Sequence, residues 1–373
     1  MSRPFLPTAI LGLGARAIQH LTLRCGSIEN GYPASTSSTW TRWSKPKSGR
    51  WIFIRLFAKR PPLGRSPAGS FKPNEATEKM KIESVGVMSP GDMGQAVSIQ
   101  CKAKGLNVYT ALERRSERTC ALAREAGLKD VGTVTRLVEE CDVVLSIMDP
   151  GASVGFARVA ADALRATGRQ TLIVDCNAIA PDTVHEMADL IEKAGGRFLD
   201  AGIIGPPPRG KARTNLYTSG PGAADLVQLA GPQLLVHVIG EGIADASALK
   251  MCYGALNKGT QALWLEVLIA AQRLGVADLL DQQLRQSQSE RYGWVLGQFP
   301  ILPPKAYRWV PEMLEISKTL GTAGMTPKMF QGAADIYRFI AGTSLGKETP
   351  EKCDKTRDGK DVVRLLAKEQ SPS

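Results

Sequence analysis

Three stretches of this chain carry residue types whose spacing suits chemistry. The first is Gly86-Val-Met-Ser-Pro-Gly91-Asp-Met-Gly94, which follows a short apolar run and opens a stretch of helical period. Glycine at such a turn lets the backbone approach a pyrophosphate, and the first N–H groups of the following helix, with its positive dipole end, hold the anion. Gly86, Ser89, Pro90, Gly91, Asp92, Met93 and Gly94 are therefore candidates for a dinucleotide cradle, with Ser89 standing where GxGxxG has its first glycine. The second is Glu113-Arg114-Arg115-Ser116, about 20 residues on, where a dinucleotide's ribose is read. A lone acid there selects NAD through the ribose 2′-hydroxyl, whereas an acid followed by two arginines and a serine suits a 2′-phosphate, so NADP is expected over NAD. Met148, which closes the apolar run from Cys141, is counted with the cofactor residues. The third stretch is a polar stripe on an otherwise apolar helix: Lys250, Tyr253, Asn257 and Gln261 follow i, i+3, i+7, i+11 spacing, with Lys258 close beside them.

The elements that must position these groups alternate strand and helix. Strands are expected at 82–88, 107–112, 141–148, 171–175 and 197–200, with helices at 91–104 and 116–126 and further helical stretches between the later strands. That alternation predicts an α/β fold, a Rossmann-type doubly wound parallel sheet. Near Gly240 the texture changes to helix alone: 243–274 has a long helical period, followed by 278–288, 311–320 and 329–340, so an all-α C-terminal domain is expected. The expected divisions are a leader over 1–79, a dinucleotide-binding domain over 80–240, a helical domain over 241–345 and a charged tail over 346–373. The long helix carries more apolar surface than a domain of roughly 130 residues covers alone, which predicts a homodimer.

Composition narrows the classes. With 43% apolar and 22% charged residues, the chain has the make-up of an ordinary globular protein. Of the net +11, +10 lies in residues 1–79, which hold thirteen Lys/Arg against three Glu; the rest is nearly neutral, so no basic nucleic-acid surface is expected. No run is long and apolar enough to predict a membrane span. The seven cysteines are scattered without a CxxC pair, and the three histidines lack ligand spacing, so no metal is expected. The segment 3–24 is acid-free, Arg-bearing and apolar between its charges, as a mitochondrial transit peptide is. With a genuine transit peptide the destination is the mitochondrial matrix; with a leader that is disordered or foreign to the natural protein, it is the cytoplasm.

Taken together, Gly86…Gly94, Leu112-Glu-Arg-Arg-Ser116, Val174-Asp-Cys-Asn-Ala-Ile-Ala-Pro181, Asp200-Ala-Gly-Ile-Ile-Gly205 and Ala248-Leu-Lys-Met-Cys252 resemble the β-hydroxyacid dehydrogenase superfamily, which includes 3-hydroxyisobutyrate and 6-phosphogluconate dehydrogenases. Arg308-Trp-Val-Pro-Glu-Met313 and Gly324-Met-Thr-Pro327 resemble its branch with an uncharacterised helical C-terminal domain. The resemblance covers about residues 81–342. It implies hydride transfer between a nicotinamide and a small hydroxy or carbonyl substrate, with Lys250 as the acid/base. It places Asn177, at the family's serine-threonine pair, beside the substrate. The family's asparagine pair after the lysine is replaced by Tyr253 and Gly254, and the serine that binds a substrate carboxylate is Ile204. Arg209 and Lys211, beyond the Pro206–Pro208 run, are candidates to take over an anionic group. Related proteins with altered catalytic residues reduce imines, which adds that variant. Outside the enzyme class, a non-catalytic dinucleotide-binding sensor or scaffold is the alternative reading.

Overall fold

The computed structural model describes residues 80–349, 353–354 and 356–369, all within one compact unit. The leader, and with it the transit-peptide expectation, lies outside the described residues. In chain order the elements are β1 (Ser84–Met88), α1 (Asp92–Ala103), β2 (Asn107–Thr110), α2 (Glu117–Glu125), β3 (Lys129–Asp130), α3 (Val134–Glu140), β4 (Val143–Ser146), α4 (Ser153–Thr167), β5 (Leu172–Asp175), α5 (Pro181–Glu192), β6 (Arg197–Ile204), β7 (Thr214–Ser219) and β8 (Leu234–Gly240). Helices follow: α6 (Asp245–Gly254), a π-helical turn (Ala255–Gly259), α7 (Thr260–Arg273), α8 (Ala277–Ser287), α9 (Ser289–Gln298), α10 (Ala306–Thr322), α11 (Lys328–Gly342) and α12 (Gly359–Lys368).

The eight strands form one sheet in the order β3-β2-β1-β4-β5-β6-β7-β8. From β3 to β6 every pair is parallel, and winding reverses between β1 and β4, which opens a crevice at the strands' C-terminal ends. Side chains alternate across the sheet: Val85, Val87, Leu145 and Val174 join one core, Met88, Val144 and Ile173 the other. Gly86, placed mid-strand, serves this packing. A Cβ on it would lie 3.0–3.1 Å from Leu137 of α3 and Val144 of β4, so its glycine belongs to the core rather than to the cofactor turn.

β3, β7 and β8 were not expected. β7 pairs antiparallel with β6 and parallel with β8. Its sequence, Thr-Asn-Leu-Tyr-Thr-Ser, has no continuous apolar run, and β8 lies at the sheet's edge with residues after Leu234 half-buried or exposed. β7 does not resemble the buried parallel strands on which the expectation rested, while β8 has their apolar run, interrupted only by His237, without their burial. The charged segment after residue 345 also departs from expectation. Its α12 is amphipathic, opens with a capping box between Asp358 and Asp361, and buries Val362, Val363 and Leu366 in the helical core. Arg273 of α7 holds its end by donating to the carbonyls of Ala367 and Glu369 at 3.2 and 2.7 Å.

Candidate active site

At the head of the crevice, α1 begins at Gly91 with no side-chain cap, so its first-turn N–H groups face outward as an anion cradle requires. A Cβ on Gly91 would come no nearer than 4.0 Å to other atoms, so the approach to this turn is open. On Gly94 it would meet the carbonyl oxygen of Ser89 at 2.9 Å, which is why the helix can pack so close to the turn only with glycine there. These residues fit a dinucleotide's pyrophosphate. Asp92 would oppose the anion, but Arg209 neutralises it: Nη1 donates to Asp92 Oδ1 at 2.7 Å, and Nη2 to Asp92 O and Gln95 Oε1 at 2.8 and 2.6 Å. Arg209 is thereby committed to α1, so it is not placed as a free substrate-binding cation. At the ribose position, Arg114 takes a left-handed backbone (φ 57°) in a turn closed by Arg115 N–H donating to Leu112 O at 3.0 Å. Arg114 is solvated and pairs with Glu113 at 3.9 Å. Ser116 caps α2, its Oγ accepting from Thr119 N–H at 3.3 Å, a role that competes with phosphate binding.

Lys250 is set by the way α6 docks on the sheet. Ala244 at the helix's N-cap has no side chain to offer, so the orphaned first-turn donors are met by neighbouring strands. Ala246 N–H donates to Ser219 Oγ at 3.0 Å, and Ser247 N–H and Oγ–H donate to the Asp200 carboxylate at 2.7 and 2.6 Å. Gly202 lets the helix come this close, since a Cβ there would lie 2.9 Å from Ala246 O and 3.2 Å from Lys250 Cβ. One turn beyond the anchor, Lys250 Nζ donates to Cys176 O at 3.0 Å. Burial pushes its ammonium below the usual lysine range, with Glu312 the strongest influence in the other direction. Burial also raises two acids beneath it, Asp175 to about 7 and Asp200 to about 6.

A cleft of about 210 Å³ joins the two ends. Lys250 and Asn177 line it together with Met93 and Met148 from the cofactor side, and Lys258, Arg308, Trp309 and Glu312 close it from the helical side. Asn177 lines the cleft with its amide fully engaged: Nδ2 donates to Asp175 Oδ1 at 2.6 Å and Ser146 Oγ at 2.8 Å, while Oδ1 accepts from Met148 N–H at 2.6 Å. It ties the ends of β4 and β5 together. Tyr253 is 51% exposed and outside the cleft. Asn257 is also outside it, its Oδ1 accepting from Gln261 Nε2 at 3.2 Å. For Asn257 the π turn explains this. Each π turn takes up an extra residue relative to an α turn, so the stripe shifts by one and Lys258, not Asn257, comes into line with Lys250. Lys258 forms an ion pair with Glu312 and stands 5.0 Å above the Trp309 ring. Glu312 and Trp309 carried no sequence signal of function beyond the likeness around Arg308–Met313.

A sheet with this switch point, an uncapped glycine turn and a lysine across a cleft from it define a nicotinamide-dinucleotide-binding oxidoreductase fold. Residues 84–234 match the NAD-binding domain of 6-phosphogluconate dehydrogenase, and residues 271–340 match a domain of unknown function, DUF1932. A solved conserved protein of unknown function, described as structurally similar to 3-hydroxyacid dehydrogenases, is 30% identical, with 69% of this chain and 96% of that one covered at a TM-score of 0.51. The chain belongs to the β-hydroxyacid dehydrogenase-like family, in the branch with a helical C-terminal domain. An uncharacterised 28.5 kDa protein of Methanothermus fervidus is 27% identical over 261 residues, 69% of this chain and 98% of its own length. In fold alone, the chain is also similar to the Mycobacterium tuberculosis 3-hydroxyisobutyrate dehydrogenase (22% identity, 77% and 99% coverage, TM-score 0.51).

Proposed function

We propose that this chain is an NADP-dependent dehydrogenase or reductase that transfers hydride between the nicotinamide and a small hydroxy or carbonyl substrate, with Lys250 as acid/base. The observation carrying this reading is that Lys250 lines one cleft with Met93 of the cofactor helix and Met148 after β4. The bound nicotinamide supplies or accepts the hydride; the protein manages the proton. In reduction, Lys250 Nζ gives a proton to the carbonyl oxygen as the hydride reaches carbon; in oxidation it takes the hydroxyl proton. Its hydrogen bond to Cys176 O aims the nitrogen, and Asn177 keeps that strand end rigid. The same apparatus suits an imine, whose nitrogen would receive the proton, so imines belong in any substrate screen.

NADP over NAD rests on Arg114 and Arg115 at the ribose position, where a guanidinium can grip the 2′-phosphate through paired hydrogen bonds. Titration of the protein with NADPH and with NADH should show tighter NADPH binding, and Arg115→Ala should narrow the gap. Tighter binding of NADH by the unmodified protein contradicts this reading. A homodimer is proposed on the exposed side chains of Leu256, Leu263, Val267, Leu274 and Leu279, which run from the π turn through α7 to the start of α8 and are too many apolar groups to be left in water. Sedimentation at micromolar concentration should give twice the chain mass; a monomer would contradict it.

A further inference from the structure

Gly254 falls four residues after Lys250, where the resemblance leads one to expect an asparagine side chain. A Cβ built on Gly254 would lie 3.3 Å from Glu312 Oε1 and 3.4 Å from Ile316 Cδ1. The space an asparagine would use is thus held by a carboxylate delivered from α10. Glu312 is 7% exposed, and its carboxylate is paired with Lys258. A buried carboxylate is tolerated only among cations and donors, and two lysines, Lys250 and Lys258, line its cleft. Its position is firmly fixed. One turn further along α10, Glu315 Oε2 accepts from Ala180 N–H and Thr183 Oγ–H, both at 2.7 Å, and so caps α5 of the dinucleotide domain from outside. Lys318 Nζ adds a bond to Thr183 Oγ1 at 3.0 Å.

We propose that Glu312 occupies the place of the side chain Gly254 lacks and acts as a positioning residue that keeps the proton on Lys250; this rests on the reading of Lys250 as the acid/base. An amide at that place would offer hydrogen bonds without charge. A carboxylate stabilises the ammonium against the burial that favours its neutral form. The helical domain therefore does more than wall the cleft: it supplies the charge that readies the proton donor. The ionisable groups facing Lys250 are Asp175 and Cys176 at the end of β5, Asp200 on β6, Lys258 on the π turn, and Arg308 and Glu312 on α10. Asp175 and Asp200, raised to about 7 and about 6, carry full charge only above those values, and Lys258 and Arg308 oppose the ammonium. Among the groups that favour the ammonium, Glu312 acts most strongly.

The test is the pH dependence of Lys250 reactivity, read by competitive labelling with acetic anhydride and mass spectrometry of its peptide. Labelling needs no substrate, so its result is separate from whether Lys250 drives turnover. Glu312→Gln should lower the Lys250 midpoint by about one pH unit, as loss of an opposite charge from the same buried cleft does, while leaving NADPH affinity unchanged. An unchanged or raised midpoint in folded Glu312→Gln protein overturns the proposal. Should that variant not fold, Lys258→Met gives the opposite sign: with a repelling cation gone, the midpoint rises, and a fall or no change overturns the proposal. The spatial claim has its own test. Gly254→Asn should destabilise the protein in the original background and be tolerated in Glu312→Ala, whereas equal cost in both backgrounds would contradict the shared space.

Discussion

Beneath Lys250 lie two buried acids whose ionisation ties the site to stability. Asp200 caps α6 through Ser247 and receives Ser219 Oγ–H at 3.4 Å, yet burial dominates and lifts its carboxyl to about 6. Against an unfolded value of about 3.9, the folded state holds this proton where the unfolded chain has lost it. The group's contribution is therefore complete below about pH 4 and is lost as pH rises through about 6. Asp200→Asn retains an acceptor for Ser247 N–H but cannot ionise. Relative to the unmodified protein, its stability should improve by up to roughly 2 to 3 kcal/mol between pH 4 and pH 7. Urea unfolding at a series of pH values checks this; a constant difference, or one of opposite sign, contradicts it. At this scale motifs single out Gly91, Gly94 and Lys250, and the structure places the two glycines at the start of α1 and the lysine in the cleft. The sequence was silent on Glu312 and Trp309, because those reach the cleft only through the fold of a domain whose motifs carry no assigned chemistry.

Among the elements, the crossing of α6 over β6 matters most, because it fixes where Lys250 points. Gly202 makes that crossing possible, and no cap in the helix itself would hold it. Gly202→Ala should force α6 outward, costing about 1–3 kcal/mol as overpacking does. Turnover should fall about 10²-fold, the scale set by small misplacements of reacting groups, with NADPH affinity retained. Turnover equal to that of the unmodified protein would show that α6 is free to adjust. The helical period of 243–274 was legible, but the π turn within it was not. A one-residue register shift leaves apolar periodicity nearly unchanged while exchanging Asn257 for Lys258 at the cleft. β7 was missed because its polar alternation hides a strand that a continuous apolar run would announce, whereas β8 has such a run, interrupted only by His237, and was legible.

For the whole molecule, the central claim is that two parts of the chain, a dinucleotide-binding sheet and a helical domain, meet at one lysine. Alternation of strand and helix up to Gly240, and helix alone after it, was enough to expect both parts. Their meeting was not legible, since it depends on α10 capping α5, where Lys318 reaches Thr183, and on a cleft lined by residues as distant in sequence as Asn177 and Glu312. Lys250→Met tests the claim most directly, because methionine keeps the length of the side chain and removes its proton. The measurement is NADPH oxidation across a panel of carbonyl and imine compounds, with original and substituted protein side by side and cofactor affinity determined for both. The account predicts turnover with at least one compound and a loss of about 10²–10⁴-fold in Lys250→Met, the usual cost of removing a general acid, at unchanged NADPH affinity. Turnover in the Lys250→Met protein equal to the original would contradict it.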